Sequence, residues 1–165
     1  MTDQPDKFQT FVMLVKQHAI HEGPNLNASE NVGTFKSSSN QVKHPMIDPP
    51  AIWIVVQGRK ICYVGNRKYD FQAGNVVVTL YPMSLQYEIA EASSDKSYLL
   101  AGLIIDLARL TNVVSRIDSI EGSVPKPVSI NPSGIFSVPL SENLLDPFIR
   151  LFTTLPNPKE FAFLS

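Results

Sequence analysis

Turn-forming residues divide positions 49–87 into short apolar runs, and this spacing constrains the fold more than any other feature of the chain. Residues 53–57 and 76–81 are apolar and rich in β-branched side chains, and they end at Gly58 and Pro82. Gly65-Asn66 forms a two-residue turn of the kind that accepts positive φ. Short strands joined by tight turns are typical of antiparallel sandwiches and barrels. The sequence therefore predicts a mainly β protein with flanking helices.

Residues 50–78, PAIWIVVQGRKICYVGNRKYDFQAGNVVV, resemble the N-terminal, effector-sensing domain of AraC-type bacterial transcriptional regulators. The shared features are a strand ending in Gln57-Gly58, a basic strand, a Gly-Asn hairpin, an aromatic residue and Gly74 before the next strand. The resemblance extends over roughly residues 45–155. It implies a cupin-like antiparallel β-barrel, or double-stranded β-sandwich, followed by interface helices. It also implies a small-molecule effector and a homodimer.

Length and resemblance together predict a single domain over residues 1–165. We expect an N-terminal helix and arm at 1–44, the barrel core at 45–105 and a helical and loop part at 106–155. Relatives carry a C-terminal helix-turn-helix region, which we expect to be absent from this chain. A net charge of −1 offers no basic excess for DNA phosphates, so any DNA contact is expected through that region.

The expected barrel would enclose a small effector. The candidate ligand-binding residues are aromatic side chains and one amide of the predicted strands: Trp53, Gln57, Tyr63, Tyr81 and Tyr87. Each of them can equally be an ordinary core or rim residue. Arg59 and Lys60, beside Gly58, can bind an anionic effector, although exposed strand charges commonly serve only to block edge pairing.

Histidine and cysteine usage argues against an enzyme. The histidines are His18, His21 and His44, so a cupin-type metal site has no histidine ligand on the barrel strands. His18 and His21 are three apart but lack a third ligand. We therefore expect no metal, no cofactor and no catalytic residue. A ligand-free dimerisation module and a stand-alone cupin-like enzyme remain the alternative functions.

The single cysteine and the lack of long apolar runs bear on location. Cys62 lies in a predicted strand, and we expect it to be a small buried apolar residue; a reactive thiol is the alternative. No stretch reaches the roughly 20 apolar residues of a membrane span. We expect a cytoplasmic protein.

The segments around the central strands carry weaker signals. Residues 24–44 are polar and predict a loop, with one edge strand near 32–35, and Pro45, Pro49 and Pro50 place the next segment at a sheet edge. Residues 84–90 alternate, as a strand with one buried face does. Residues 98–105 are nearly all apolar, which favours a strand that is covered on both sides.

Three helices are predicted. Residues 7–20 have an amphipathic pattern, and Asp106 is a suitable N-cap for a second helix with an apolar stripe of Leu107, Leu110, Val114 and Ile117. For the last helix, Asp146 as N-cap with Pro147 at the first helical position avoids a proline in the interior.

The last helix also supplies the candidate dimer interface. Its apolar stripe consists of Leu144, Phe148, Leu151, Phe152 and Leu155. The alternative is that this stripe docks on the chain's own barrel, since both arrangements need an apolar face.

Overall fold

The computed structural model describes residues 6–27, 31–106, 108, 109, 111, 112, 115, 116 and 134–156. Its strands are β1 (Gly23–Asn27), β2 (Val32–Ser37), β3 (Gln41–Asp48), β4 (Ala51–Gln57), β5 (Arg59–Val64), β6 (Arg67–Gln72), β7 (Asn75–Thr79), β8 (Met83–Glu91), β9 (Tyr98–Ile104) and β10 (Ile135–Pro139). Its bounded helices are α1 (Lys7–His18) and α2 (Glu142–Thr154).

The strands form two antiparallel sheets. A six-stranded sheet has the order β1-β2-β9-β4-β7-β10, and a four-stranded sheet has the order β3-β8-β5-β6. The neighbours β5 and β6 are joined by a tight turn that uses Gly65 at φ 58, whereas pairs such as β2-β9 and β3-β8 are distant in sequence. This is the antiparallel β-sandwich that the spacing of turns and apolar runs predicts, in the cupin-like form that the family resemblance implies.

Burial along the strands follows the sequence pattern. In β8, Met83, Leu85, Tyr87 and Ile89 are buried while the residues between them are more exposed, as alternation predicts. Strand β9 pairs with β2 and β4, and residues 98–102 are all buried. The continuous apolar run therefore does correspond to a strand covered on both faces.

The segment before the central strands is more ordered than its polar composition predicts. A strand at Val32–Ser37 is confirmed, but it is not an edge strand, because β1 pairs with it over Gly23–Asn27. Strand β3 contains Pro45 and lies at the edge of the four-stranded sheet, as predicted. An edge position suits Pro45 because proline has no N–H to donate to a second neighbour.

Two hydrophobic cores lie on opposite faces of the six-stranded sheet. The outer core joins that sheet to both helices, with Phe11 of α1 packed edge-on against Phe148 and Phe152 of α2 at ring-centroid distances of 6.2 and 5.5 Å. The inner core fills the space between the two sheets and includes Val55 and Leu100. The inner space is the one that a ligand of the sandwich would enter.

The predicted start of the last helix is wrong. Helix α2 begins at Glu142, and the Ser141 hydroxyl caps it by accepting a hydrogen bond from the Leu144 N–H at 3.3 Å. Pro147 therefore lies inside the helix, where its missing N–H removes one backbone hydrogen bond. Burial of Leu145, Phe148 and Phe152 on the same helix offsets that loss.

The predicted cap at Asp106 is confirmed. Its carboxylate accepts hydrogen bonds from the N–H groups of Ala108 and Arg109 at 3.0 and 3.3 Å, and the described residues between 108 and 116 are helical. The stripe predicted there, Leu107, Leu110, Val114 and Ile117, falls outside the described residues. No helix in the described part of the chain is long and apolar enough to span a membrane.

Candidate functional site: a cavity between the sheets

A cavity of about 180 Å³ lies between the two sheets. Its walls are mostly apolar and come from both sheets, including β1 at the edge of the six-stranded sheet. The apolar lining residues include Pro24, Leu26, Phe35, Met46, Trp53, Tyr87, Leu100 and Ile104. Two charged side chains, Asp48 and Lys60, also line it. A mostly apolar cavity with a few polar groups is the usual form of a small-molecule site.

Two glycines make room for the indole of Trp53. Trp53 is the cross-strand partner of Gly102, which is in turn the partner of Gly33. A Cβ on Gly102 would lie 2.3 Å from Cε3 of the indole, so the ring lies directly over this glycine. Trp53 and the two glycines opposite it thus form one wall of the cavity.

Lys60 is a buried cation inside the sandwich. It precedes Ile61 and Cys62 on β5, and its residue is 8% exposed. The ammonium lies 4.8 Å from the ring centroid of Tyr87 on the neighbouring strand β8. A cation over an aromatic face gains roughly 0.5–2 kcal/mol, which offsets only part of the cost of burying the charge.

Asp48, at the end of β3, places a carboxylate in the same cavity and is 7% exposed. Burial raises the pKa of this carboxyl above its ordinary value, and the charge of Lys60 opposes that rise to a smaller extent. Among the described residues, no hydrogen bond or ion pair within 4.0 Å joins Asp48 to Lys60 or either of them to a third side chain. Both charged groups can therefore be reached by a molecule in the cavity.

Three further buried polar groups lack hydrogen-bond partners in the described part of the chain: the indole N–H of Trp53 and the hydroxyls of Thr34 and Tyr98. Thr34 borders both the cavity and the groove on the other side of β2, and Tyr98 lines a small pocket of about 20 Å³ that shares Asp48, Trp53 and Lys60 with the main cavity. Buried polar groups are nearly always hydrogen-bonded in native proteins. The indole N–H of Trp53 therefore adds an unpartnered polar group to the cavity that Lys60 and Asp48 line, which is the strongest local sign of a binding site.

The predicted ligand residues divide into two groups. Trp53 and Tyr87 line the cavity. Tyr63 is on the outer face of the four-stranded sheet, where its hydroxyl donates to Glu88 at 2.5 Å, and Tyr81 is 46% exposed. The amide of Gln57 donates to the Ser97 carbonyl at 2.7 Å, and Gln57 does not line the cavity.

The two charged cavity residues were only partly indicated by the sequence. Lys60 was considered as an anion-binding residue together with Arg59, but Arg59 faces outward and forms a two-point ion pair with Asp70 at 2.8 and 2.5 Å. Strand alternation could have separated the two, since Lys60 shares its strand face with the buried Cys62. Asp48 gave no signal, because a carboxylate next to two prolines resembles a turn residue.

The predicted interface stripe of α2 is largely used within the chain. Phe148 and Phe152 are 5% and 1% exposed and pack against α1. Leu144, Leu151 and Leu155 are half-buried and contact the same core. The alternative of docking on the chain's own sheet therefore accounts for the two phenylalanines.

A larger groove of about 640 Å³ lies on the opposite side of β2, near the ends of α1 and α2. Its described lining residues include no Lys, Arg, Asp or Glu. Most of their polar side chains have partners: His18 Nε2 is 3.1 Å from the Phe152 carbonyl oxygen, and the Asn25 amide donates to the His21 carbonyl at 2.9 Å. The described residues contain no group of three metal-ligating side chains. The interior cavity is thus the better candidate site despite its smaller volume.

Among solved structures, the chain is similar to ToxT from Vibrio cholerae and to a plant vicilin. With unsaturated-fatty-acid-bound ToxT the TM-score is 0.48 at 13% identity, over 78% of this chain and 47% of that one. An apo ToxT variant gives 0.47 at 11% identity, over 78% and 49%. The vicilin from Solanum melongena gives 0.33 at 14% identity, over 76% and 34%. This chain spans about half the length of the ToxT chains.

Sequence comparison identifies the family directly. No curated protein sequence matches the chain. The family model described as the AraC-type transcriptional regulator N-terminus matches residues 28–165, which is most of the chain and includes both sheets except β1. The chain therefore belongs to the family of AraC-type transcriptional regulator N-terminal domains.

Proposed function

We propose that this chain is the effector-sensing domain of an AraC-type regulator and that the effector binds in the cavity between the two sheets. The observation that carries the proposal is the presence of Lys60, Asp48 and the unpaired Trp53 N–H in one apolar cavity. A charge buried without a partner costs free energy, so such groups are retained where a ligand or partner uses them. A sensing role also fits the family of the chain.

A chain of contacts leads from the cavity to the helices. Leu26 of β1 lines the cavity mouth, and its neighbour Asn25 exchanges hydrogen bonds with the backbone of His21 at 3.2 and 2.9 Å, just after α1. His18 of α1 is bonded to the Phe152 carbonyl of α2. We propose that an effector that contacts β1 changes the position of the helices by this route, provided it binds one arrangement more tightly than another.

In the full regulator, the helices would pass this change to a helix-turn-helix region and so alter DNA binding. We also propose that the domain forms a homodimer, that it works in the cytoplasm and that it has no catalytic activity. Because Phe148 and Phe152 are buried within the chain, the dimer contact would use the partly exposed side of α2, including Leu144, Leu151 and Leu155.

The test begins with a thermal-shift screen of this chain against sugars, aromatic acids and acyl compounds. A ligand present at a hundredfold excess over its dissociation constant stabilises the native state by about 2.7 kcal/mol, which is readily seen. A hit is then added to the full regulator on its DNA site. The proposal predicts a change in DNA affinity that a Trp53→Leu variant loses; unchanged DNA affinity with every ligand that binds the cavity would refute it. A folded dimer that binds nothing would favour the ligand-free dimerisation module.

A further inference from the structure

The proposed sensing function leaves open what kind of molecule the cavity accepts. We propose that it binds a small monocarboxylic acid with a compact aromatic or branched apolar body, and that the ligand carboxylate lies against the Lys60 ammonium. This inference rests on the proposed function and adds a chemical class to it.

The charge of Lys60 favours an anionic ligand. Lys60 is 8% exposed in an apolar cavity, and the described residues place no carboxylate within ion-pair distance of its ammonium. An anionic ligand would supply the missing partner in a region of low dielectric, where a charge-assisted hydrogen bond is strong. Breaking or omitting such a partner is costly because the remaining charge stays buried.

The balance of charge selects a carboxylate among anions. Lys60 is the single cation among the described lining residues, which include no arginine and no second lysine. Sulfate is a dianion and phosphate is largely one at neutral pH, so one ammonium balances the charge of a carboxylate better than that of either. Burial raises the pKa of Asp48, the other charged residue that lines the cavity.

The same residues argue against amines and free amino acids. An ammonium group has three protons to satisfy, and Asp48 is the one carboxylate among the described lining residues. A cationic ligand would also lie in the same small cavity as the Lys60 ammonium. Both effects disfavour a positively charged group there.

Size and shape restrict the apolar body. The cavity of about 180 Å³ is close to the roughly 150 Å³ of an engineered cavity that accepts benzene. Phe35, Trp53 and Tyr87 supply flat aromatic walls, which suit a ring or a short branched chain. A long acyl chain exceeds the available volume.

The experiment compares matched probes that differ only in the polar group. Titration calorimetry on the chain would use benzoate, benzamide, benzylamine and phenylalanine, with inorganic phosphate and palmitate as further probes. 3-Methylbutanoate and its amide form a second pair that does not absorb, so the fluorescence of Trp53, the single tryptophan, can follow them. We expect each acid to bind about tenfold or more tightly than its amide, the scale of one charge-assisted hydrogen bond.

Two lysine variants provide the matched test of Lys60. Lys60→Met keeps the length of the side chain and removes the charge, and we expect the ratio of acid to amide affinity to fall to about one. Lys68→Met removes an exposed charge on the adjacent strand β6 and should keep the wild-type ratio. If Lys60→Met does not fold, the wild-type comparison of acid with amide still decides the matter.

Failure of the inference is distinct from failure of the proposed function. If benzamide, benzylamine, phenylalanine or phosphate binds as tightly as the acids, or if the wider screen yields a non-acid that quenches Trp53, the acid class is refuted while sensing stands. If palmitate binds more tightly than the short acids, the size argument is refuted. If no compound in the panel or the wider screen binds, both proposals fail.

Discussion

The Lys60 ammonium lies 4.8 Å from the ring centroid of Tyr87, in the interior of the sandwich rather than at its surface. The two residues come from neighbouring strands, β5 and β8, in the four-stranded sheet. The aromatic face offsets only part of the free-energy cost of burying the ammonium, so the ammonium can still gain from binding an anion. The pair therefore defines the polar end of a mostly apolar cavity.

The buried carboxyl of Asp48 should make the free energy of unfolding depend on pH. Burial, the larger cause, raises the pKa of its carboxyl in the folded protein above the ordinary value of 3.8, although the Lys60 charge lowers it. Above the raised pKa the buried carboxylate destabilises the fold, and this penalty disappears as pH falls toward 3.8 and the folded protein takes up the proton. We predict that Asp48→Asn is more stable than wild type at neutral pH and that the difference narrows in acid.

Urea unfolding of both proteins at several pH values, followed by circular dichroism, measures this difference. The titratable groups that face Asp48 are Lys60, Cys62, Tyr87 and Tyr98. The pKa values of Cys62, Tyr87 and Tyr98 are raised, chiefly by burial, so these three groups stay neutral across the acidic range and add no pH dependence there. A variant that is less stable than wild type at neutral pH would contradict the assignment.

A side chain at position 102 would collide with the cavity wall. A Cβ there would lie 2.3 Å from the Trp53 indole and 2.4 Å from the Ile52 carbonyl oxygen. We predict that Gly102→Ala lowers the free energy of unfolding by about 1–3 kcal/mol, as overpacking usually does, and shifts the emission maximum of Trp53. Gly33→Ala is the matched control, because its nearest contact, a Leu26 methyl carbon at 3.4 Å, is ordinary. Equal effects of the two substitutions would contradict this account of the wall.

Phe152 distinguishes packing within the chain from packing between chains. Its ring is 1% exposed and lies 5.5 Å from the Phe11 ring. We predict that Phe152→Ala lowers the free energy of unfolding by about 3–5 kcal/mol at every protein concentration. The neighbouring exposed substitution Thr153→Ala should change it by about 0.5 kcal/mol at most. A variant of unchanged stability but lower oligomer mass by light scattering would instead place Phe152 in a subunit interface.

The buried thiol of Cys62 should react slowly with thiol reagents. The side chain is 3% exposed, and burial is the main cause that raises the pKa of its thiol to about 11. At neutral pH the reactive thiolate is therefore scarce and shielded. We predict that a thiol reagent labels the folded protein only as fast as it opens, that the urea-unfolded chain reacts at once, and that a cavity ligand slows labelling further. Rapid labelling of the folded chain would show that the interior is open at Cys62.

The sequence predicted the central strands well because their signals are local. Gly58, Gly65 and Gly74 are turn residues with positive φ, and the alternation in β8 reports one buried face. The start of α2 differs from the prediction because the local cost of an interior proline is offset by the burial of Phe148 and Phe152, which depends on contacts with α1. In α2, tertiary packing outweighs the helix-breaking tendency of Pro147.

The candidate site was only half predictable for a related reason. Trp53 and Tyr87 could be named from their residue type and strand position. The convergence of Lys60 and Asp48 depends on how two sheets curve around a shared space, which no local pattern encodes. Tyr63 and Tyr81 are also aromatic strand or turn residues, and only the strand register and the path of the chain place them outside the cavity.

The most direct test of a ligand site between the sheets is a titration followed by the indole N–H resonance of Trp53 in a nitrogen–proton NMR spectrum. This chain has a single tryptophan, so one indole signal reports on the cavity wall. The account predicts that 3-methylbutanoate or another compound from the screen shifts that signal saturably, because the unpaired N–H gains a partner or a new neighbour. A bound compound that leaves the indole signal in place, while shifting residues on the outer face, would contradict it.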